Sequence, residues 1–268
     1  MNSTYQYGAN VHANGIRQHY LRYGGQGQPL ILVPGITSPA ITWGFVAERL
    51  GQQFDTYVLD VRGRGLSSTG PELAYDIDTC ADDIIAFTEA LELDNYILVG
   101  HSMGARFGIR ACVRGARGLA RLVLVDPPVS GPGRREYPSK LPWYVDSIRD
   151  ATQGCDADHM RGYCASWTDE QLQLRAEWLH TCYSDAIVTT FNGFHEDDIH
   201  SDLPNIQVPT LLMVAGKGGV ILAEDEAEMR ELLPSLRISH VANAGHMIPW
   251  DDFDGFFEGF EDFLGVPV

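Results

Sequence analysis

"LVGHSMGAR", Leu98 to Arg106, is the stretch that decides the fold. It contains G-x-S-x-G as Gly100, His101, Ser102, Met103 and Gly104. The residues before it, "NYILVG", read as a buried strand. Those after it, "MGARFGIRACVRG", read as a helix. Passing from strand to helix over one residue needs a turn so sharp that side chains two before and two after the serine would collide with their neighbours. Glycines remove that collision. The turn lifts the Ser102 hydroxyl above the sheet, at a helix N-terminus whose dipole favours negative charge. Five residues of pattern are a weak signal alone. Between a buried strand and a helix they mark Ser102 as a nucleophile rather than a chance glycine-rich turn.

Outward from this point, apolar runs and helical patterns alternate. "PLILVPG", "FDTYVLDVRG", "LARLVLVDPP", "PTLLMVAG" and "RISHVANAG" read as strands. "PAITWGFVAERLG", "YDIDTCADDIIAFTEALEL", a segment starting near Ala223 and a last one through Phe263 read as helices. Asn14-Gly15 between two alternating runs near the N-terminus signals a tight hairpin. Short strands that are apolar on both faces, alternating with helices, imply a mostly parallel sheet covered on both sides. Between Pro127 and about Asn205 the rhythm breaks. That segment is rich in Trp, Tyr, His, Pro and Arg, and its helical patterns lack strands between them. It is expected to be a helical cap, residues 127–205, inserted in a core of residues 1–126 and 206–268 at the sheet edge where ligands bind.

Composition narrows the setting. The chain has 268 residues, 44% hydrophobic and 21% charged, enough for one large α/β domain. A net charge of −17 makes nucleic acid and anionic membrane poor partners. No apolar run is long enough to span a bilayer, and the polar N-terminus lacks a secretory pattern. Five irregularly spaced cysteines argue for reduced thiols, and so for a cytoplasmic protein. Cys155, His159 and Cys164 fit no standard zinc spacing, so no metal is expected. Lysine is nearly absent, with only Lys140 and Lys217, and the positive charge is arginine, suited to bidentate pairing with carboxylates.

With these pieces in place, the chain resembles the α/β-hydrolase superfamily over essentially everything outside the cap. "LVPGIT" is similar to its oxyanion loop, with Pro34 where a histidine is frequent. "LDVRGRGLSS" is similar to its D-x-R-G-x-G-x-S turn, and "NAGHMIPWDD" to its C-terminal G-H segment. The resemblance implies an eight-stranded α/β-hydrolase fold and no cofactor. It also implies an oxyanion hole made by the backbone N–H groups of Ile36 and Met103, each donor worth roughly 3–4 kcal/mol.

His246 follows "ANAG" in the loop that reaches over the nucleophile in this fold. A neutral imidazole there takes the Ser102 proton and returns it to the leaving group. His101, beneath the elbow, reads as structural, and His180, His195 and His200 fall in the cap. The third member must be a carboxylate that orients the base. In this fold it ordinarily stands three residues after the glycine that ends strand seven. That glycine is Gly216, and the position holds Gly219. Glu224, Asp225 and Glu226 follow, but their placement suits helix capping and dipole compensation. Asp126, in "LVLVDPP", ends the adjacent strand about 5 Å away. Its competing reading is a turn residue before Pro-Pro. With position 219 empty, Asp126 is the expected acid, and the chain order Ser102, Asp126, His246 is kept.

The displaced acid, together with "VPGITSPAITWGFVAERL" and "LVLVDPPVSGPGRR", is similar to the branch of the superfamily that hydrolyses amide bonds in ring-opened pyridine derivatives. That resemblance implies a small anionic formyl amide as substrate, in nicotinate catabolism, with formate as one product. An acidic protein would then need a local cation for the substrate carboxylate. Arg106, Arg134, Arg135 and Arg175 are the candidates, with Trp143, Tyr144, Trp178 and Tyr183 as walls and His180 as a further contact. Arg62 is expected to buttress its own turn. An enol-lactonase, a carboxylesterase or a carbon–carbon bond hydrolase of aromatic catabolism is the alternative on the same scaffold, and a non-enzymatic small-molecule receptor is the third reading.

Overall fold

The computed structural model describes residues 3–268. Eight strands form one sheet in the order β1-β2-β4-β3-β5-β6-β7-β8. They are β1 (Tyr5–Ala13), β2 (Ile16–Tyr23), β3 (Pro29–Val33), β4 (Asp55–Leu59), β5 (Tyr96–His101), β6 (Leu119–Val125), β7 (Thr210–Ala215) and β8 (Arg237–Val241). Only β2 runs against its neighbours; β3 through β8 are parallel. The β1–β2 connection is the two-residue turn expected from Asn14-Gly15, both with positive φ, 48° and 73°. Such a turn matches the strand twist only when both central residues accept the left-handed region.

Every residue of β4, β5 and β7 is buried, as expected of strands covered on both faces. Helices α1 (Gly44–Leu50), α2 (Ile77–Ala90), α3 (Met103–Arg114), α8 (Ala223–Leu232), α9 (Ile248–Asp251) and α10 (Phe253–Glu258) accompany the strands. The Asp76 carboxylate starts α2 by accepting the Thr79 N–H at 2.9 Å. Between β6 and β7 lie α4 (Leu141–Thr152), α5 (Ala157–Met160), α6 (Asp169–Trp178) and α7 (Ser184–Glu196), with no strand among them.

Element boundaries differ from the sequence reading, at Ala40, Leu59 and Glu258 among others. The segment at Ala40 opens as a 3-10 turn, Ala40–Trp43, before α1. The strand begun near Phe54 stops at Leu59, because the buried Asp60 carboxylate accepts the Ala40 and Leu66 N–H groups and meets His19 Nδ1 at 2.7 Å, bending the chain. The last helix ends at Glu258, with Gly259 as its cap, and not at Phe263. Phe260, Phe263 and Leu264 still pack into the core from the turns beyond.

Candidate active site

The elbow has the strain its sequence implies. Ser102 sits at φ 52°, ψ −113°, between β5 and α3. Its N–H donates to the Val125 carbonyl at 2.8 Å, tying the turn to β6. A Cβ on Gly100 would overlap the Gly104 carbonyl, and one on Gly104 would overlap the Val33 carbonyl. Both glycines are therefore steric necessities of the turn.

His246 Nε2 stands 3.0 Å from Ser102 Oγ, and His246 Nδ1 stands 2.7 Å from Asp126 Oδ2. A carboxylate only accepts, so Nδ1 carries the hydrogen and Nε2 presents its lone pair to the serine. Asp126 is fully buried and holds φ 45°, an uncommon conformation for a non-glycine residue. Its N–H donates to the Met213 carbonyl at 2.9 Å, and its Oδ1 accepts the Ala215 N–H at 3.1 Å. Both partners belong to β7, so Asp126 is anchored on the strand that lacks its own acid. Gly219 has φ 67° and open space around it. Asp225 caps α8 instead, accepting the Leu222 N–H at 2.8 Å and pairing with Arg135 at 2.6 Å.

His101 supports His246 from below. Its Nε2–H donates to the His246 carbonyl at 3.0 Å, and its ring packs 5.0 Å from the His246 ring and 5.2 Å from Trp43. Burial, followed by the neighbouring His246, pushes its pKa down to about 3, so the ring is neutral.

Met103 is the first residue of α3, where a helix leaves its N–H without an intrahelical partner. Ile36 follows β3 in the facing loop. The Arg64 guanidinium donates to the Ile36 carbonyl at 3.1 Å and to Thr190 Oγ1 of α7 at 2.8 Å, fixing that loop from behind. Arg64 is buried, and no sequence pattern pointed to this role. Arg62 buttresses its turn as expected, with a bidentate pair to Asp83 at 2.5 and 2.6 Å.

Above Ser102 lies a cavity of about 550 Å³. Of the nine expected substrate contacts, Trp143, Tyr144 and Arg175 line it. The other six do not, each for a physical reason. Arg106 is buried and donates to four carbonyls, those of Pro128, Ser130, Gly193 and Asp197, clasping the segment after β6 to α7. Arg134 forms a bidentate pair with Glu228, both bonds 2.6 Å. Arg135 is taken by Asp225 and the Val220 carbonyl. Trp178 is half-buried away from the cavity and His180 is exposed. Tyr183 packs on Tyr75 and donates to Asp185 at 2.9 Å. His159 pairs with Asp150 at 2.8 Å, and among the described residues no cluster could hold a metal.

Arg175 differs from the other three candidate arginines. It is 4% exposed, its Nε has no partner, and its only polar contacts are long ones to Thr37, at 3.4 and 3.5 Å. The guanidinium lies over Trp143 and Trp167, at 5.2 and 5.6 Å. It is a buried cation with two aromatic faces and no carboxylate partner among the described residues, an arrangement with donors free for an anion. Sequence reasoning missed Trp167, Tyr163 and Tyr137 on the same walls. Tyr137 stands in a loop with no periodicity to expose it.

Residues 30–258 match the alpha/beta hydrolase family. The chain belongs to that family. Among α/β-hydrolases it is similar to an N-formylmaleamate deformylase of Pseudomonas putida, with 71% identity over 99% of both chains. A crystal structure of the N-formylmaleamic acid deformylase of Pseudomonas putida S16 superimposes with a TM-score of 0.92, at 54% identity, over 95% of this chain and all of that one. A 2-(acetamidomethylene)succinate hydrolase of Mesorhizobium japonicum is 35% identical over 40% of this chain and 38% of its own.

Proposed function

We propose that this α/β-hydrolase cleaves the formyl amide of N-formylmaleamate, giving maleamate and formate. The observation that carries the reading is full-length identity of 71% to a deformylase of that name, supported by a buried Arg175 without a carboxylate partner among the described residues, in the cavity that Ser102 and His246 also line. Ser102, Asp126 and His246 act as the triad, and the Ile36 and Met103 N–H groups bind the oxyanion. Residues 127–205 serve as a cap over a core of residues 1–126 and 206–268. The five free cysteines suit a reducing cytoplasm. Among the described residues no helix is long and apolar enough to cross a membrane.

The His246 contacts to Ser102 and Asp126 support the following course. Ser102 Oγ gives its proton to His246 Nε2 and attacks the formyl carbon. The C–N bond breaks as His246 protonates the departing nitrogen, and maleamate leaves. Water, activated by the same nitrogen, then attacks the formyl ester and releases formate. Arg175 takes the substrate carboxylate, and Trp143 and Tyr144 wall the cavity. Incubating the protein with N-formylmaleamate and assaying formate tests the proposal. No formate release, with rapid turnover of simple esters or lactones, would overturn it. No hydrolysis of any of these substrates and no labelling of Ser102 by a sulfonyl fluoride would favour a receptor over an enzyme.

A further inference from the structure

Two hydroxyls converge on one nitrogen in this site. His246 Nε2 has Ser102 Oγ at 3.0 Å and Tyr137 Oη at 3.2 Å. Tyr137 lies in the loop between β6 and α4 and is 3% exposed. Its ring is held edge-on by Phe194 of α7, with centroids 5.2 Å apart at 66°. The Tyr144 hydroxyl donates toward Tyr137 Oη at 3.5 Å, which leaves the hydrogen of Tyr137 for an acceptor on the cavity side. Burial, then Tyr144, keeps the Tyr137 phenol protonated, well above its ordinary range.

A single lone pair serves both hydroxyls only until the reaction starts. Once Nε2 has taken the serine proton it is a donor, and Tyr137 has lost its acceptor. At that moment Nε2–H faces the leaving atom, because it must deliver its proton there. A hydroxyl bonded to the same nitrogen is within reach of the leaving group too. In an N-formyl amide of the proposed kind the departing nitrogen carries a second carbonyl. As the C–N bond breaks, its electron pair spreads onto that carbonyl oxygen.

We propose that Tyr137 is a catalytic hydrogen-bond donor to the leaving group, bonding the carbonyl oxygen attached to the departing nitrogen and making the site selective for N-acyl formamides. The inference rests on the amide-cleaving reading above. The bonds balance without it: Ser102 Oγ–C forms, C–N breaks, and the proton on nitrogen comes from His246. Tyr137 keeps its own proton and stabilises the charge that develops on oxygen.

The test is Tyr137→Phe, assayed for formate release from N-formylmaleamate and from phenyl formate, whose leaving group has no carbonyl. Loss of one preorganised donor costs on the order of 100-fold or more. The expected result is that loss in kcat with N-formylmaleamate, an unchanged KM, an unmoved acid limb of the pH–rate profile, and a change under about threefold with phenyl formate. Equal losses on both substrates, a shifted acid limb, or no loss on either would overturn the role of Tyr137 and leave the amide reading standing. Should phenyl formate not be turned over, the kcat against KM split and the pH limb decide alone. A wild-type protein that releases no formate from N-formylmaleamate would overturn both.

Discussion

Asp126 at the end of β6 reaches His246 Nδ1 at 2.7 Å while its second oxygen accepts an N–H from β7, the strand whose own acid position is the glycine Gly219. The carboxylate is held from both strands at once. Asp126→Ala is therefore expected to lower kcat about 10⁴-fold with the fold intact, since the base loses its orienting partner. Asp225→Ala should leave kcat within about twofold and cost about 1 kcal/mol of stability, because Asp225 caps α8. Steady-state formate release and thermal unfolding of both variants check the pair. The reverse pattern would place the acid on α8.

Arg175 has no acidic partner to lose among the described residues, so its removal should act on the substrate. Arg175→Met is expected to raise KM for an anionic formyl amide at least about 30-fold, in line with the 2–5 kcal/mol lost when one partner of a buried charge pair is truncated. The same variant should leave KM for a neutral formyl amide of similar size within about threefold. Comparable effects on both substrates would mean that Arg175 packs rather than binds.

Gly104 and Gly219 should respond oppositely to alanine. A Cβ on Gly104 overlaps the Val33 carbonyl at the root of the oxyanion loop. Gly104→Ala should therefore abolish activity and lower the unfolding midpoint sharply. Gly219 has open space and only its positive φ against it. Gly219→Ala should cost about 1–2 kcal/mol in stability and little in kcat. Differential scanning calorimetry with the formate assay distinguishes them.

His101 ties stability to pH. Its folded pKa is about 3, against about 6.5 for an unfolded histidine. As pH falls below about 6.5 the unfolded chain gains a proton that the folded chain refuses, so stability present above that pH is lost toward about pH 3. His101 alone should remove about 1.4 kcal/mol between pH 7.5 and 5.5. Buried His200, whose pKa is also lowered by burial and then by Arg134, adds to the same slope. Urea unfolding across this range should show a shallower slope for His101→Gln than for the wild type. An unchanged slope would assign the dependence to other groups.

Much of this molecule was legible in one dimension. The strand–elbow–helix at Ser102, the Asn14-Gly15 hairpin and the alternation of buried strands with helices are local patterns, and local sterics dictate them. Asp126 was legible because strand adjacency follows from topology, and a glycine at position 219 left the role open. The arginines were not. Each of Arg106, Arg134, Arg135 and Arg175 looks the same in sequence, and what an arginine does depends on which acceptors surround its long side chain. Three of the four are satisfied by carbonyls or carboxylates contributed from distant segments, between 22 and 94 positions away in the bonds that hold them. Arg175 is left buried between two tryptophans, with only long contacts to Thr37. Tyr137 lies in an aperiodic loop and reaches the base only because α7 packs Phe194 against its ring. The sequence by itself determined the scaffold, the strained elbow at Ser102 and the loop that carries His246, because these rest on backbone sterics and strand order. Only the tertiary structure decided which cation faces the cavity and which phenol meets His246, because those depend on side-chain contacts that no local spacing encodes.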